Sequence, residues 1–361
     1  MTTGSTAIRP SLRTRWTPRL WSFHAWLGLL FAVPLLLVSL TGALLVRYDW
    51  VERGFDRTVF RAGPATNAAP LTDVIRRLAL RHSGAQVRFL ERPGDPARNP
   101  VFSVHGPELR RSVIADAVTG GVLLERDEAT GARRWLLRFH DSLHAGKAGE
   151  LIVALSALAL LGLALSGLWI RRGALRGLLR IPRIRGRPLR VLAGEWHRWI
   201  GTAALLMLLL WALTGVWLSL PSLLTSERRR ELPAARYDWT TAPAIEPMLA
   251  EARRRFPESD LDFLSLPSVP GDPFTLTLVD RDRWLWNKLT EMVFDGSTGA
   301  LLRTQSGANG GWLMKANLTV AVLHFGHLGG ALMKWLWLVF GFTPAFLAVS
   351  GGLIWWRRKR R

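Results

Sequence analysis

Four long apolar runs, Phe23–Val46, Leu151–Ile170, Trp199–Leu220 and Trp335–Trp356, alternate with mixed stretches rich in polar and charged residues. Each run reaches the length, about 20 residues, that a helix needs to cross a hydrocarbon core roughly 30 Å thick. We read all four as membrane helices. The first is longer than the apolar region of a cleaved signal peptide and has no small-residue cleavage site after it, so it is expected to be retained. Tryptophans gather near the ends of the runs, at Trp21, Trp26, Trp199, Trp335, Trp355 and Trp356, as expected for side chains at a membrane–water boundary.

The two long mixed segments carry a different periodicity. Each opens, after a proline, on a helical pattern: Leu71–His82 and Ile245–Phe256. Short alternating runs follow, including Val87–Leu90, Val101–Val104 and Phe274–Val279. Each segment also contains Asp…Thr-Gly between two apolar runs, at Asp116–Gly120 and Asp295–Gly299. A glycine there reads as the tight turn of a strand–turn–strand unit. Two small α+β domains, each a helix on a short antiparallel sheet, are expected.

These likenesses are part of a duplication. Phe23-His24-Ala25-Trp26-Leu27-Gly28 matches Trp196-His197-Arg198-Trp199-Ile200-Gly201 at an offset of 173 residues, and Leu40-Thr41-Gly42 then meets Leu213-Thr214-Gly215 without a gap. The second and fourth runs match at an offset of 184, which pairs His140 with His324, Gly146 with Gly330, and Ser166-Gly167 with Ser350-Gly351. The unit is helix, domain, helix, and it occurs twice in parallel orientation. Glycines at matched positions (Gly28, Gly42, Gly167, Gly201, Gly215 and Gly351) allow helices or a flat ring to approach closely.

Charge supplies an orientation. The net charge is +21, a value that would suit nucleic acid, but the excess lies beside the apolar runs. The first tail has Arg9, Arg13, Arg15 and Arg19 and no acid; Arg171 to Arg198 holds nine arginines against Glu195 alone; the chain ends on Arg357-Arg358-Lys359-Arg360-Arg361. Residues 47–138 and 225–330 together hold 28 basic and 24 acidic residues. The positive-inside rule places the three unbalanced stretches in the cytoplasm and the long segments outside, which is the periplasm if the cell is a Gram-negative bacterium. The arginines are also candidates for anionic lipid headgroups or haem propionates. The absence of cysteine excludes disulfides, iron–sulfur clusters and thiolate zinc sites.

Six of the eight histidines sit at boundaries of the apolar runs. His24 and His197 are repeat equivalents at one face, His140 and His324 at the other. Neutral imidazole is a good ligand for haem iron, and two axial imidazoles make a six-coordinate b-type site. Two such pairs predict two haems, one near each face, and a path for electrons between them. His144 and His327 flank the outer pair, and either is an alternative axial ligand or a contact for substrate iron. His82 and His105 have no repeat partner and are read as surface or structural residues.

At this point the sequence resembles the PepSY-associated transmembrane family over nearly its whole length. The likeness rests on the two His-containing openings, on Phe139-His140-Asp141-Ser142-Leu143, on Leu323-His324-Phe325-Gly326-His327-Leu328-Gly329-Gly330, and on the exits Ser166-Gly167-Leu168-Trp169 and Ser350-Gly351-Gly352-Leu353-Ile354-Trp355. The resemblance implies a bacterial inner-membrane protein, and the charge pattern puts both termini in the cytoplasm. It places haem ligation on His24, His197, His140 and His324. Some members are ferric-siderophore reductases with two b-type haems; others are described only as iron-uptake factors.

The expected fold class is an all-α four-helix membrane bundle made of two parallel helix–domain–helix repeats, plus two small periplasmic α+β PepSY-like domains. The expected boundaries are a tail over 1–22, helices over 23–46, 151–170, 199–220 and 335–356, domains over 47–138 and 221–318, outer His motifs over 139–150 and 319–334, a basic loop over 171–198 and a tail over 357–361. The expected function is transfer of electrons through haem b to a ferric siderophore or other ferric chelate, without a catalytic acid or base. The 28-residue basic loop is too short for a dinucleotide or flavin domain, so a quinol or a separate cytoplasmic reductase is the expected donor. A different class of function is a membrane-anchored PepSY regulator or sensor of a peptidase or other protein. A transporter is disfavoured because no charged residue lies mid-helix, and a zinc peptidase because His-Glu-x-x-His does not occur.

Overall fold

The computed structural model describes residues 12–60, 68–82, 85–91, 97–106, 109–171, 181–182, 186–224, 236–280, 283 and 285–356. The basic residues expected at Arg9, from Arg172 to Arg185 and at Arg357–Arg361 lie outside them. Twelve helices and eight strands are found among the described residues. The helices are α1 (Leu12–Leu30), α2 (Ala32–Val46), α3 (Tyr48–Phe55), α4 (Leu71–Arg81), α5 (Ala132–Ser142), α6 (Gly146–Arg171), α7 (Leu189–Ala203), α8 (Leu205–Leu224), α9 (Glu246–Arg255), α10 (Trp312–Phe325), α11 (Ala331–Gly341) and α12 (Thr343–Trp356). The strands are β1 (Gln86–Glu91), β2 (Val101–His105), β3 (Arg110–Ala115), β4 (Val122–Asp127), β5 (Ser259–Ser265), β6 (Phe274–Asp280), β7 (Leu289–Phe294) and β8 (Leu301–Ser306). The chain divides into a helical unit (residues 1–43, 139–225 and 336–361) and a sheet unit (44–138 and 226–335).

The sheet unit corrects the expectation of two small α+β domains. Its strands form a single antiparallel sheet in the order β4-β3-β2-β1-β5-β6-β7-β8. The seam is β1 on β5, where Phe89 faces Ser265, Leu90 faces Leu264 and Glu91 faces Phe263. An unpaired β1 or β5 would leave a row of backbone donors and acceptors at an edge. Pairing them satisfies both rows and merges the two halves. Alternation sorts the faces: Phe274, Leu276 and Leu278 are buried while Thr275 and Thr277 between them are not. The buried set joins Leu90, Phe102 and Val104 from the first half in one core, closed by Val74, Ile75 and Leu78 of α4 and Met248, Leu249 and Ala252 of α9. The two Asp…Gly turns are built alike. Asp116 Oδ1 accepts from the Thr119 amide at 2.7 Å, and Asp295 Oδ1 accepts from the Thr298 amide at 2.8 Å. Gly120 and Gly299 take the left-handed conformation, at φ +65° and +72°, which glycine adopts without steric cost.

A second tie crosses the seam at the starts of α4 and α9. The Thr72 amide donates to Glu246 Oε1 at 3.1 Å and the Thr72 hydroxyl to Oε2 at 2.6 Å, while the Ile245 amide donates to Thr72 Oγ1 at 2.8 Å. One carboxylate thus lies at the amino ends of two helices, where unpaired N–H groups and the helix dipole favour negative charge. Helix α3 is held by buried charge: Glu52 accepts from Arg98 at 2.9 Å, and both side chains are buried.

The helical unit corrects the expectation of a four-helix bundle. Two helical segments are long and apolar enough to cross a membrane, Gly146–Arg171 and Ala331–Trp356, each of 26 residues. The other two expected spans are broken. Thr17–Leu30 and Ala32–Val46 meet at 64°, and Leu189–Ala203 and Leu205–Pro221 meet at 67°, so the total reaches four only if each bent pair is one span. Both breaks have local causes. Pro34 has no N–H to give the Leu30 carbonyl. Before the second break stands Gly201, and the Thr202 hydroxyl donates to the Arg198 carbonyl at 2.7 Å, a back-bond that bends helices. Neither break is visible in an apolar count. The helices pack as α1 on α6, α7 on α12 and α6 on α8. Large apolar side chains stand outward on them, among them Leu30, Val33, Leu206 and Val339. An apolar surface on this scale calls for lipid.

Two stability outcomes follow from the sheet unit. Glu52→Ala strands the Arg98 guanidinium in the interior and should cost about 3–5 kcal/mol, read as a lowered thermal midpoint, whereas Glu251→Ala, which removes the partner of the exposed Arg254 and Arg255, should leave that midpoint in place. The second concerns pH. Burial raises the pKa of Glu246, but the hydrogen bonds from Thr72 outweigh it, and the folded carboxyl titrates below its usual range. Its stabilisation is therefore complete above the unfolded pKa of about 4.3 and is lost as pH falls from there through the folded value. The midpoint of the wild type should drop over that window, and Glu246→Gln should drop less steeply with pH.

Candidate functional site

The structure brings His24 of α1 and His197 of α7 together in the helical unit. Their ring centroids are 6.4 Å apart and the ring planes stand at 84°. A metal–imidazole bond of about 2.0 Å plus about 1.1 Å from nitrogen to ring centre, taken on both sides, gives about 6.2 Å. The spacing therefore fits one metal centre between the rings. Among the described residues no three His, Cys, Asp or Glu side chains converge. A donor set of two imidazoles suits a metal whose remaining positions are filled by a macrocycle, as in haem, better than a tetrahedral zinc site built from four protein ligands.

Each ring is held from behind in the same way. His24 Nδ1 lies 2.8 Å from Ser166 Oγ on α6, and His197 Nδ1 lies 2.8 Å from Ser350 Oγ on α12. Both serine hydroxyls are committed as donors to their own helix, Ser166 to the Gly162 carbonyl at 2.7 Å and Ser350 to the Phe346 carbonyl at 2.8 Å. A hydroxyl has one proton to give, so each serine accepts and each histidine donates from Nδ1. The rings also bond the carbonyls of Leu163 and Leu347, one turn before the serines. Beside each serine is a glycine. A Cβ on Gly167 would lie 3.5 Å from His24 Cε1, and a Cβ on Gly351 the same distance from His197 Cε1. One turn beyond Gly167, Arg171 ends α6 with its Nε buried and, among the described residues, without a hydrogen-bond partner.

His140, on α5, occupies a third copy of this arrangement against α2. Its Nδ1 lies 2.9 Å from the Val38 carbonyl and 3.2 Å from Thr41 Oγ1, and Thr41 donates to the Leu37 carbonyl at 2.8 Å. The glycine is Gly42, where a Cβ would stand 2.7 Å from His140 Cε1. His144 is placed differently. It lies in the turn after α5 with φ +56°, next to Leu143 at φ +50°, and its ring meets the edge of Phe139 at 5.7 Å. His324 near the end of α10 and His327 in the turn beyond it belong to the sheet unit, packed at 5.6 Å and 6.0 Å from the Phe325 ring. His82 and His105 are paired with carboxylates, at 3.6 Å from Glu125 and 3.2 Å from Glu128. Ser166, Ser350 and Thr41 stand at repeat-matched places in the sequence, but nothing in a linear reading ties them to histidines 99 to 153 residues away.

A family profile described as the PepSY-associated TM region matches residues 21–358. The chain belongs to the PepSY-associated transmembrane family. No curated protein matches the chain. Membership agrees with the apolar helices in making this a membrane protein with a PepSY-associated region.

The cradle around His140 predicts a steric outcome. Gly42→Ala leaves no room for the imidazole and should cost about 1–3 kcal/mol through overpacking, with faster chemical modification of His140 read by mass spectrometry. Gly28→Ala, whose Cβ would meet Leu163 at an ordinary 3.5 Å, should change neither.

Proposed function

We propose that this PepSY-associated membrane protein holds haem b on His24 and His197 and serves as a transmembrane electron carrier that reduces ferric chelates outside the membrane. The observation that carries the reading is the His24–His197 pair, 6.4 Å between ring centres, with both Nδ1 atoms engaged by neutral acceptors. Donation from Nδ1 leaves the lone pair on Nε2, the nitrogen that binds iron. A haem held by these two imidazoles would supply a one-electron carrier.

The chain's own groups do the rest. Ser166 and Ser350 hold the rings, Gly167 and Gly351 leave them space, and Arg171 offers a buried Nε, without a partner among the described residues, to an anionic substituent such as a propionate. Ala164, Ala204 and Leu208, with Leu160 and Leu347 against them, form an apolar cluster in the same unit, which excludes water. His140, cradled in the same way, is our ligand for a second haem. The basic runs orient the protein with its termini in the cytoplasm of a bacterial cell and the sheet unit in the periplasm. The electron acceptor is a ferric siderophore or similar chelate, whose hard oxygen donors hold Fe(III) in preference to Fe(II); the donor is a quinol or a cytoplasmic reductase. A role as a membrane-anchored regulator leaves the three histidine cradles without a purpose.

The test is an absorption spectrum of the detergent-purified chain, oxidised and then dithionite-reduced. We expect a b-type reduced spectrum at about two haems per chain, falling to about one in His24→Ala and in His140→Ala. A colourless protein from haem-replete cells overturns the proposal and leaves the regulator as the better account.

A further inference from the structure

The three cradles share a pattern that goes beyond the histidines themselves. In each, one turn of helix presents a backbone carbonyl at position i, a hydroxyl at i+3 and a glycine at i+4: Leu163, Ser166 and Gly167 for His24; Leu347, Ser350 and Gly351 for His197; Val38, Thr41 and Gly42 for His140. In each, the hydroxyl is turned by its bond to the preceding turn, at 2.7 Å for Ser166, 2.8 Å for Ser350 and 2.8 Å for Thr41. Its lone pairs then face the ring. Ser156, on the same helix as Ser166 and buried like it, makes the same back-bond, to Ile152 at 2.7 Å, without a histidine against it.

We propose that Ser166, Ser350 and Thr41 are positioning residues that fix the tautomer and rotation of His24, His197 and His140, presenting each Nε2 lone pair to a metal. The proposal rests on the reading of these histidines as haem ligands. The chemistry is that of an outer-shell hydrogen bond. An imidazole that donates from Nδ1 to a fixed acceptor is locked in orientation and is a stronger base at its other nitrogen, and loss of such a partner typically costs about 10–100-fold in metal affinity. His140 shares its Nδ1 proton between the Val38 carbonyl and the Thr41 hydroxyl, and the Leu163 and Leu347 carbonyls also bond the His24 and His197 rings, so removing the hydroxyl leaves the ring bonded but free to swing about the remaining contact. A ligand that donates less electron density also favours Fe(II), so the midpoint potential rises.

The experiment uses the full-length detergent-purified chain and the variants Ser166→Ala, Ser350→Ala, Ser166→Thr and Ser156→Ala. The measurements are the rate of haem transfer to a haem-free acceptor protein, the midpoint potential by redox titration, and the electron paramagnetic resonance of the ferric protein. Ser166→Ala and Ser350→Ala should each release one haem about 10–100-fold faster, with a raised midpoint and an altered low-spin signal. Ser166→Thr, which keeps a hydroxyl, should restore the wild-type values, and Ser156→Ala should match the wild type. A haem-loaded wild type whose Ser166→Ala and Ser350→Ala variants keep its release rate, midpoint and signal overturns the positioning role while leaving haem ligation standing. If either alanine variant fails to fold, Ser166→Thr decides: wild-type values support the role, whereas a changed midpoint in a folded, haem-loaded protein overturns it. A wild type that carries no haem overturns the reading beneath it and the proposal together.

Discussion

The antiparallel pairing of β1 with β5 is the constraint on which the sheet unit depends. Each half of the duplicated sequence supplies four strands and one of the two helices that close the core, and each half alone leaves an open strand edge at the seam. Three residue pairs close that edge. Closing it places α4 and α9 over one continuous core, with their amino ends meeting at Thr72 and Glu246. Two helix amino ends side by side repel, because both are the positive ends of dipoles. The Glu246 carboxylate answers that repulsion and takes up the free N–H of Thr72. The seam and the shared cap are thus one device seen twice, once in the backbone and once in a side chain.

The helical unit meets a different constraint. An imidazole set among apolar helices has a donor and an acceptor to satisfy, and an unmet polar group there is costly. The intrahelical hydrogen bond uses one lone pair of each carbonyl, and a Ser or Thr hydroxyl bonded back to its own helix keeps lone pairs of its own. One turn of helix can therefore receive one N–H without any break in its ladder. The unit uses that economy for three histidines. Glycine beside the hydroxyl removes the side chain that would otherwise keep the ring away; at Gly42 the space is filled by the ring itself.

Much of this was legible in the sequence, and the limits are physical. The duplication, the helices opening near Leu71 and Glu246, and the two aspartate turns follow from periods of two and 3.6 and from local turn chemistry, all encoded within a few residues. The His24–His197 pair was legible because duplication kept both residues in register. The fusion of the two sheets was not, because Leu90 and Leu264 carry no local mark that they face each other. The helix breaks at Phe31 and Ala204 were missed because an apolar count is blind to a missing N–H at Pro34 or a back-bond from Thr202. The cradles were missed because a carbonyl such as that of Val38 has no side-chain signature at all.

The duplication also separates two kinds of histidine. His105 meets the Glu128 carboxylate through Nε2 at 3.2 Å. His24, His197 and His140 meet neutral acceptors through Nδ1. A ring tied at Nε2 to a carboxylate has spent the nitrogen that axial ligation uses, and its partner is local to the sheet unit. A ring tied at Nδ1 to a hydroxyl or carbonyl does not spend Nε2 on that contact. The second condition is demanding, since it needs a particular turn of a neighbouring helix, with hydroxyl and glycine in adjacent positions. Packing alone gives no reason for that set to recur. Its recurrence behind His24 and His197 follows from duplication, but its appearance behind His140, on a different helix and with threonine in place of serine, does not, because α5 and α2 are not copies of the elements that hold the other two. The same arrangement thus stands on unlike pairs of elements, and each time Nδ1 is the nitrogen it engages.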